Sequence, residues 1–156
     1  MNCFFLLLFN FSLFSLSASH DVQMTQFELF QLQEELVLTI QVERKDLYRS
    51  WEGFEKRVYD SQIAELNDYL QRKTQWVINE TSFSICDYMI FQDEEHFIIR
   101  GYFENVPPEI YKVDFWNEFL IEEINGQLSI IHLSINEKFR SFKMDKNRIV
   151  IHVDYS

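Results

Sequence analysis

Glycine and proline are scarce in this chain of 156 residues, which holds three Gly and two Pro. So few forced turns argue against a loop-rich or low-complexity protein, and no stretch reads as a flexible linker. Cysteine is scarcer in effect than its count of two suggests. Cys3 falls in an apolar leader, so Cys86 stands alone beyond it. That excludes an intrachain disulfide in the mature chain, a cysteine zinc site and a redox pair. Cys86 is read as a buried free thiol or as half of an intermolecular bridge. Cations are also short, with 14 Lys and Arg against 25 Asp and Glu and a net charge of −11. A chain of that sign repels phosphate backbones, so no nucleic acid partner is expected. The sequence lacks a Gly-rich phosphate loop, a His-Glu-x-x-His pair and any histidine–carboxylate set with metal-ligand spacing. No metal and no cofactor is therefore expected.

What is abundant is apolar. Hydrophobic residues make up 47% and aromatics 17%, including 16 Phe, which is ample for one packed domain and argues against disorder. Residues 1–19, "MNCFFLLLFNFSLFSLSAS", carry no charge and end in small residues. The run is broken by Asn10 and Ser12 and falls short of the about 20 residues of a membrane span. It reads as a secretory signal cut near Ser19–His20, leaving residues 20–156 as a single secreted, extracellular domain with no membrane contact after cleavage. The n-region lacks the usual Lys or Arg. Secretion makes Asn79-Glu80-Thr81 a usable glycosylation sequon, which predicts a surface position for Asn79.

The periodicity predicts helices first. Residues 25–44 open on a Thr25-x-x-Glu28 capping box and place Phe30, Val37 and Ile40 near one stripe. Asp46 is expected to cap a short helix through Trp51, Gly53 to break it, and "FEKRV" to form a short strand. A further helix runs from Asp60 or Ser61 to about Arg72. From Trp76 the pattern alternates, predicting strands near 82–91, 96–104, 110–123 and 127–136, then a hairpin of 139–144 with 148–154. Asn125-Gly126 is the strongest short-range hairpin signal, because a type I′ turn needs positive φ at both central residues.

Helices followed by an antiparallel meander make an α+β arrangement. The order of elements, with "KDL" opening the second helix, "FEKRV", "DSQIAELNDYL" and then "FWNEFLIEEINGQLSIIHLSI", resembles the nuclear transport factor 2-like fold, and most of all its small secreted nematode members. The resemblance covers about residues 22–136. It implies a cone of N-terminal helices packed on a curved antiparallel sheet, with a pocket between them and frequent dimerisation. Some members of that family are isomerases or dehydratases. The segment 137–156 departs from it as an atypical C-terminal hairpin.

Register supplies the expected site. A two-residue Asn125-Gly126 turn sets Phe119 opposite His132 and Asn117 opposite Ser134. A turn centred on Asp93-Glu94 sets Asp87 opposite Arg100. Tyr88, Phe97, Phe103, Phe115, Asn117, Phe119, His132 and Ser134 then share an uncharged concave face under the helices. His132, Asn117 and Ser134 would be its one polar cluster. The other face mixes charges with large apolar groups, and a second copy of the chain is the simplest cover for it. The expected function is non-catalytic binding, with a small apolar ligand in that pocket or a protein partner, such as a homodimer mate, on the outer face. The alternative is an isomerase or dehydratase with His132 as general base. The preferred reading of His132 itself is a core histidine with its bonds satisfied, and no carboxylate is expected on its face. A Cys86–His132 nucleophile pair is excluded by strand spacing, and Asp87 with Asp114 is better read as bridged by Arg100.

Overall fold

The computed structural model describes residues 23–32, 35–50 and 60–156, except for the side chains of residues 60–62, 87 and 88. Ten strands and two helices make up these residues: β1 (Met24–Leu32), β2 (Glu35–Glu43), α1 (Arg44–Ser50), α2 (Asp60–Lys73), β3 (Thr74–Ile78), β4 (Thr81–Phe83), β5 (Ile85–Gln92), β6 (His96–Phe103), β7 (Lys112–Asn117), β8 (Leu128–Ile135), β9 (Lys138–Met144) and β10 (Val150–Asp154). Six strands form one sheet in the order β5-β6-β2-β1-β8-β9, and four form another in the order β10-β7-β3-β4. Alternate side chains of the two sheets meet in a single core. Phe27 of the large sheet lies 5.3 Å from Phe115 of the small one, and Trp76 stacks on Phe115 at 3.7 Å and meets Phe103 edge-on at 5.9 Å. This is sheet-on-sheet packing. The expected cone of helices over a curved antiparallel meander is overturned by it.

The main departure lies in residues 25–44, which form the β1–β2 hairpin and not a helix. Phe27 and Leu29, then Leu36, Leu38, Ile40 and Val42, are buried at period two, with Val37 covered on the other face as well. Phe30, which looked like part of one helical stripe with Val37 and Ile40, sits on the opposite face from Ile40. β-Branched Val37, Thr39, Ile40 and Val42 favour the pleat. Thr25 does not cap a helix; it is fully buried and accepts a hydrogen bond from Gln127 Nε2 at 2.8 Å. β1 also pairs parallel with β8, from Met24 opposite Leu128 to Phe30 opposite Ser134, so the sheet is mixed.

The second correction concerns residues 111–135, which are not a paired ribbon. β7 pairs with β3 and β10 in the small sheet, while β8 pairs with β1 and β9 in the large one. Their connection crosses between sheets. Glu118 N donates to Lys73 O at 2.7 Å, which draws the chain off its ladder to the end of α2, and Leu120 is held at φ 60°. Only Gly126 of the Asn125-Gly126 pair has positive φ, 86°, and Gln127 N donates to Ile124 O; this is a type II turn. The type I′ geometry occurs instead at Asn79-Glu80 (φ 47° and 67°) and Asn136-Glu137 (φ 50° and 60°), which close the β3–β4 and β8–β9 hairpins. The β9 and β10 segments meet at a tight Asp145–Arg148 turn, as a hairpin would, but they enter different sheets.

Other expectations match closely. α2 spans Asp60–Lys73, β5–β6 form a hairpin around Asp93–Glu95, and a short helix covers "KDL", although it opens at Arg44 and so places Asp46 in its first turn and not at its cap. Its register is shifted: a bulge between Cys86 and Met89 sets Met89, not Asp87, opposite Arg100. The expected strand at "FEKRV", the break at Gly53 and Trp51 lie outside the described residues. α2 buries Leu66 and Leu70 in the core, and α1 buries Leu47. Among the described residues no helix is long and apolar enough to cross a membrane.

Candidate functional site

The residues expected to line one pocket are divided by the large sheet. Phe97, Phe103, Phe115, Asn117 and Phe119 are buried between the sheets. His132 and Ser134 point the other way, because the buried side of β8 is Ser129, Ile131, Leu133 and Ile135. The side chain of Tyr88 lies outside the described residues. The Asn117–His132–Ser134 cluster therefore does not form. Cys86 sits four strands from His132, about 19 Å at the usual strand spacing. Asp114 is in the other sheet from Arg100, bonded to Lys112 Nζ at 3.3 Å and His152 Nδ1 at 2.8 Å.

Asn117 has a different role. Its Nδ2 donates to Ser129 Oγ at 2.9 Å across the two sheets, and its Oδ1 accepts from Phe119 N at 3.1 Å. Beside it, Gln127 bonds Thr25, the register neighbour of Ser129. Thr25, Asn117, Gln127 and Ser129 are all buried. These groups are short of alternatives in a dry interior, so they fix which residues of β7, β8 and β1 may face one another. The crossing loop is gripped from α2. Leu120 N donates to Tyr69 Oη at 3.3 Å, and Lys73 pairs with Glu122. Burial first, and then the neighbouring Glu123, push the Tyr69 hydroxyl well above its ordinary pKa, while the Glu122 bond raises that of Lys73.

The outer face of the large sheet can be read row by row from the register. One row runs Phe139, Ser134, Phe30, Val37, Tyr102, Cys86 from β9 to β5. The next runs Ser141, His132, Glu28, Thr39, Arg100, Met89. At the β1–β8–β9 end these rows enclose an open groove of about 370 Å³ lined by Glu28, Leu29, Phe30, His132, Ser134 and Phe139. His132 stacks on Phe139 with ring centroids 5.6 Å apart, and its buried Nδ1 has no hydrogen-bond partner. Glu28 Oε1 accepts from Gln26 Nε2 at 2.6 Å. The groove thus joins two phenylalanine rings, a carboxylate and an imidazole ring whose Nδ1 is itself buried. Of its lining, only His132 and Ser134 stood out from the sequence. Glu28 and Phe30 were hidden by the helical reading, although the alternation of Gln26, Glu28 and Phe30 with Phe27 and Leu29 marks them as one face.

Two other polar clusters are self-contained. A cleft of about 740 Å³ lies at the α1 end, lined by Glu43, Arg44, Lys45, Tyr48, Glu94, Glu95 and His96. Within it Arg44 bonds Tyr48 Oη and Asp93 O, both at 2.8 Å, and Lys45 pairs with Glu43 at 2.8 Å. Asp93 closes the β5–β6 loop by accepting from His96 N and Glu95 N, which lowers its pKa. At the sequon, Asn79 Nδ2 donates to Glu109 O at 2.6 Å and Oδ1 accepts from Tyr111 N and Lys112 N, so this side chain orders the 109–112 segment. No group of three or more His, Cys, Asp or Glu among the described residues is placed to hold a metal ion. His96 opens β6 beside the hairpin loop, and His152 sits on the edge strand β10, 71% exposed. Compared with known proteins, the chain matches no family model and no curated protein.

Proposed function

We propose that this chain is a secreted, non-catalytic recognition domain that binds through the outer face of its six-stranded sheet, centred on the His132–Phe139 groove. The observation that carries the reading is the distribution of exposed apolar groups. Met24, Leu32, Met89, Phe91 and Phe139 are five of the six large hydrophobic side chains left exposed among the described residues, and all five lie on this face. They are spread over β1, β5 and β9, so the face as a whole, and not one patch of it, is the candidate contact surface. The reading moves the expected apolar pocket from under the helices to this outer surface, because the interior is filled by Phe27, Trp76, Phe97, Phe115 and Phe119.

The test is amide chemical-shift mapping against a library of peptides and small apolar molecules. Binders should move β1, β8 and β9 around the groove, and Phe139→Ser should weaken them about tenfold while the melting temperature holds. Binders that cluster elsewhere, or that ignore Phe139→Ser, overturn the reading. A second reading keeps His132 as a general base, since Glu28 lines the same groove as a second titratable group. It requires turnover of a small carbonyl substrate that His132→Gln abolishes; binding that survives this substitution without turnover refutes it.

A further inference from the structure

The four edges of the two sheets are protected unequally. β4 is three residues long, β10 is five, and β5 is interrupted by the bulge between Cys86 and Met89. Short strands and bulges are the usual ways to blunt an edge. β9 has neither: its seven residues keep one register against β8, from Ser129 opposite Met144 to Ile135 opposite Lys138. It carries cations instead. Residues 138–148 hold Lys138, Arg140, Lys143, Lys146 and Arg148 against the single Asp145, in a chain whose net charge is −11. Lys138 Nζ is bonded to Tyr155 O, and Arg148 lies over the Phe142 ring at 5.7 Å. Arg140, Lys143 and Lys146 are exposed, with Arg140 Nη1 donating to Phe139 O at 3.1 Å.

Edge lysines also keep identical edges apart, and that role alone would explain the charges. It does not explain Phe139. This side chain is 60% exposed on the same edge strand and forms one wall of the groove in which His132 Nδ1 lacks a partner. Cations that repel a second copy of the edge also select an anionic strand.

We propose that β9 accepts an extended acidic peptide as a seventh strand of the large sheet, with one apolar side chain of that peptide entering the groove beside Phe139 and its carboxylates meeting Arg140 and Lys143. The proposal rests on the outer-face reading and names its partner. In such an added strand, alternate side chains fall level with Phe139 and Lys143 on the outer side and with Arg140 on the other. Main-chain bonds supply affinity, and the cation–aromatic pattern supplies choice.

The probe is a fluorescein-labelled, end-capped peptide Thr-Glu-Val-Thr-Glu-Val-Thr, measured by anisotropy against the full mature chain. Binding should weaken at least tenfold in Arg140→Glu/Lys143→Glu, a surface variant whose fold is checked by circular dichroism. It should weaken likewise between 0.05 and 0.5 M salt, and a lysine-for-glutamate peptide should not bind. Two further peptides are N-methylated at odd or at even positions. Only one amide set of an added strand faces β9, so one of these peptides should lose binding and the other keep it. Equal binding of both, equal binding of the lysine peptide, or no binding at millimolar peptide overturns the proposal. So does self-association of the chain through β9, or charge-dependent capture by phosphatidylserine vesicles without peptide binding. If library binders still shift the groove amides while backbone methylation is without effect, the strand proposal falls and the outer-face reading stands; if nothing shifts the groove, both fall.

Discussion

Replacing Asn117 with Ala removes two buried hydrogen bonds at once. Each is worth about 1 kcal/mol net, but the partners left behind weigh more. Phe119 N–H and the Ser129 hydroxyl would both lie unpaired at fully buried residues, each costing about 1–3 kcal/mol. These penalties overlap, since the loop can shift, so the expected loss is about 2–4 kcal/mol. Ser129→Ala leaves one Asn117 hydrogen unpaired and should cost about 1–2 kcal/mol. The double variant should cost about 1 kcal/mol less than the sum, because the shared bond is counted twice. His132→Ala is the control: it lies on the far side of the sheet, so with Asn117→Ala it should be additive within about 0.5 kcal/mol. Urea unfolding followed by tryptophan fluorescence measures each corner of the two cycles. A loss below about 0.5 kcal/mol for Asn117→Ala, or a coupling to His132 as large as that to Ser129, refutes the placement of β7 and β8 in separate sheets.

Gly101→Ala should destabilise by about 1–3 kcal/mol, since its Cβ would sit 2.1 Å from Ile85 Cγ2; calorimetry should show part of the loss returned by adding Ile85→Ala. Glu137→Gly should stabilise by about 0.5–1 kcal/mol in the same unfolding assay, because a glutamate at φ 60° gives way to the residue that type I′ turns prefer there. The buried Tyr155 hydroxyl has no partner, so Tyr155→Phe should be neutral or slightly stabilising at pH 7. Burial pushes its pKa from the ordinary 10 up to about 12. The folded state thus holds the proton that the unfolded state releases, with no effect below pH 10 and a loss of stability of about 2 kcal/mol at most as pH rises from 10 to 12. Tyr155→Phe should abolish that loss, read by denaturation at stepped pH and by absorbance at 295 nm. In protein secreted from a eukaryotic host, mass spectrometry should find a new N-terminus at His20 and a glycan on Asn79 that Thr81→Ala removes.

The sequence was most legible where one signal had no rival. The helix at 60–73, the β5–β6 hairpin and the strands at 128–135 and 138–144 could be read from period and turn residues alone, whereas the strand expected over 110–123 stops at Asn117. Residues 25–44 could not, because a run with apolar groups at both parities fits a broad helical face as well as a strand buried on one side and half-covered on the other. Thr25 and Glu28 added a capping box by coincidence; what decides their fate is the partner β8, about a hundred residues away. Asn125-Gly126 misled for a related reason. Turn chemistry permits a hairpin, but Asn117, Lys73 and Tyr69 hold the approach to it in another path. A hairpin at that link would invert the parity of β8 and carry His132 from the surface groove into the interior. The groove itself needs β1, β8 and β9 side by side, a neighbour relation that no local pattern encodes.

The position of β1 bears on how the chain is made. It occupies the middle of the large sheet, yet one of its two flanking partners begins only at Leu128. Until the ribosome has delivered that late segment, the Phe27–Leu29 strand has an unfilled side, and non-local pairing of this kind is slow to form. A truncation that removes the final quarter should therefore yield insoluble material instead of a smaller domain.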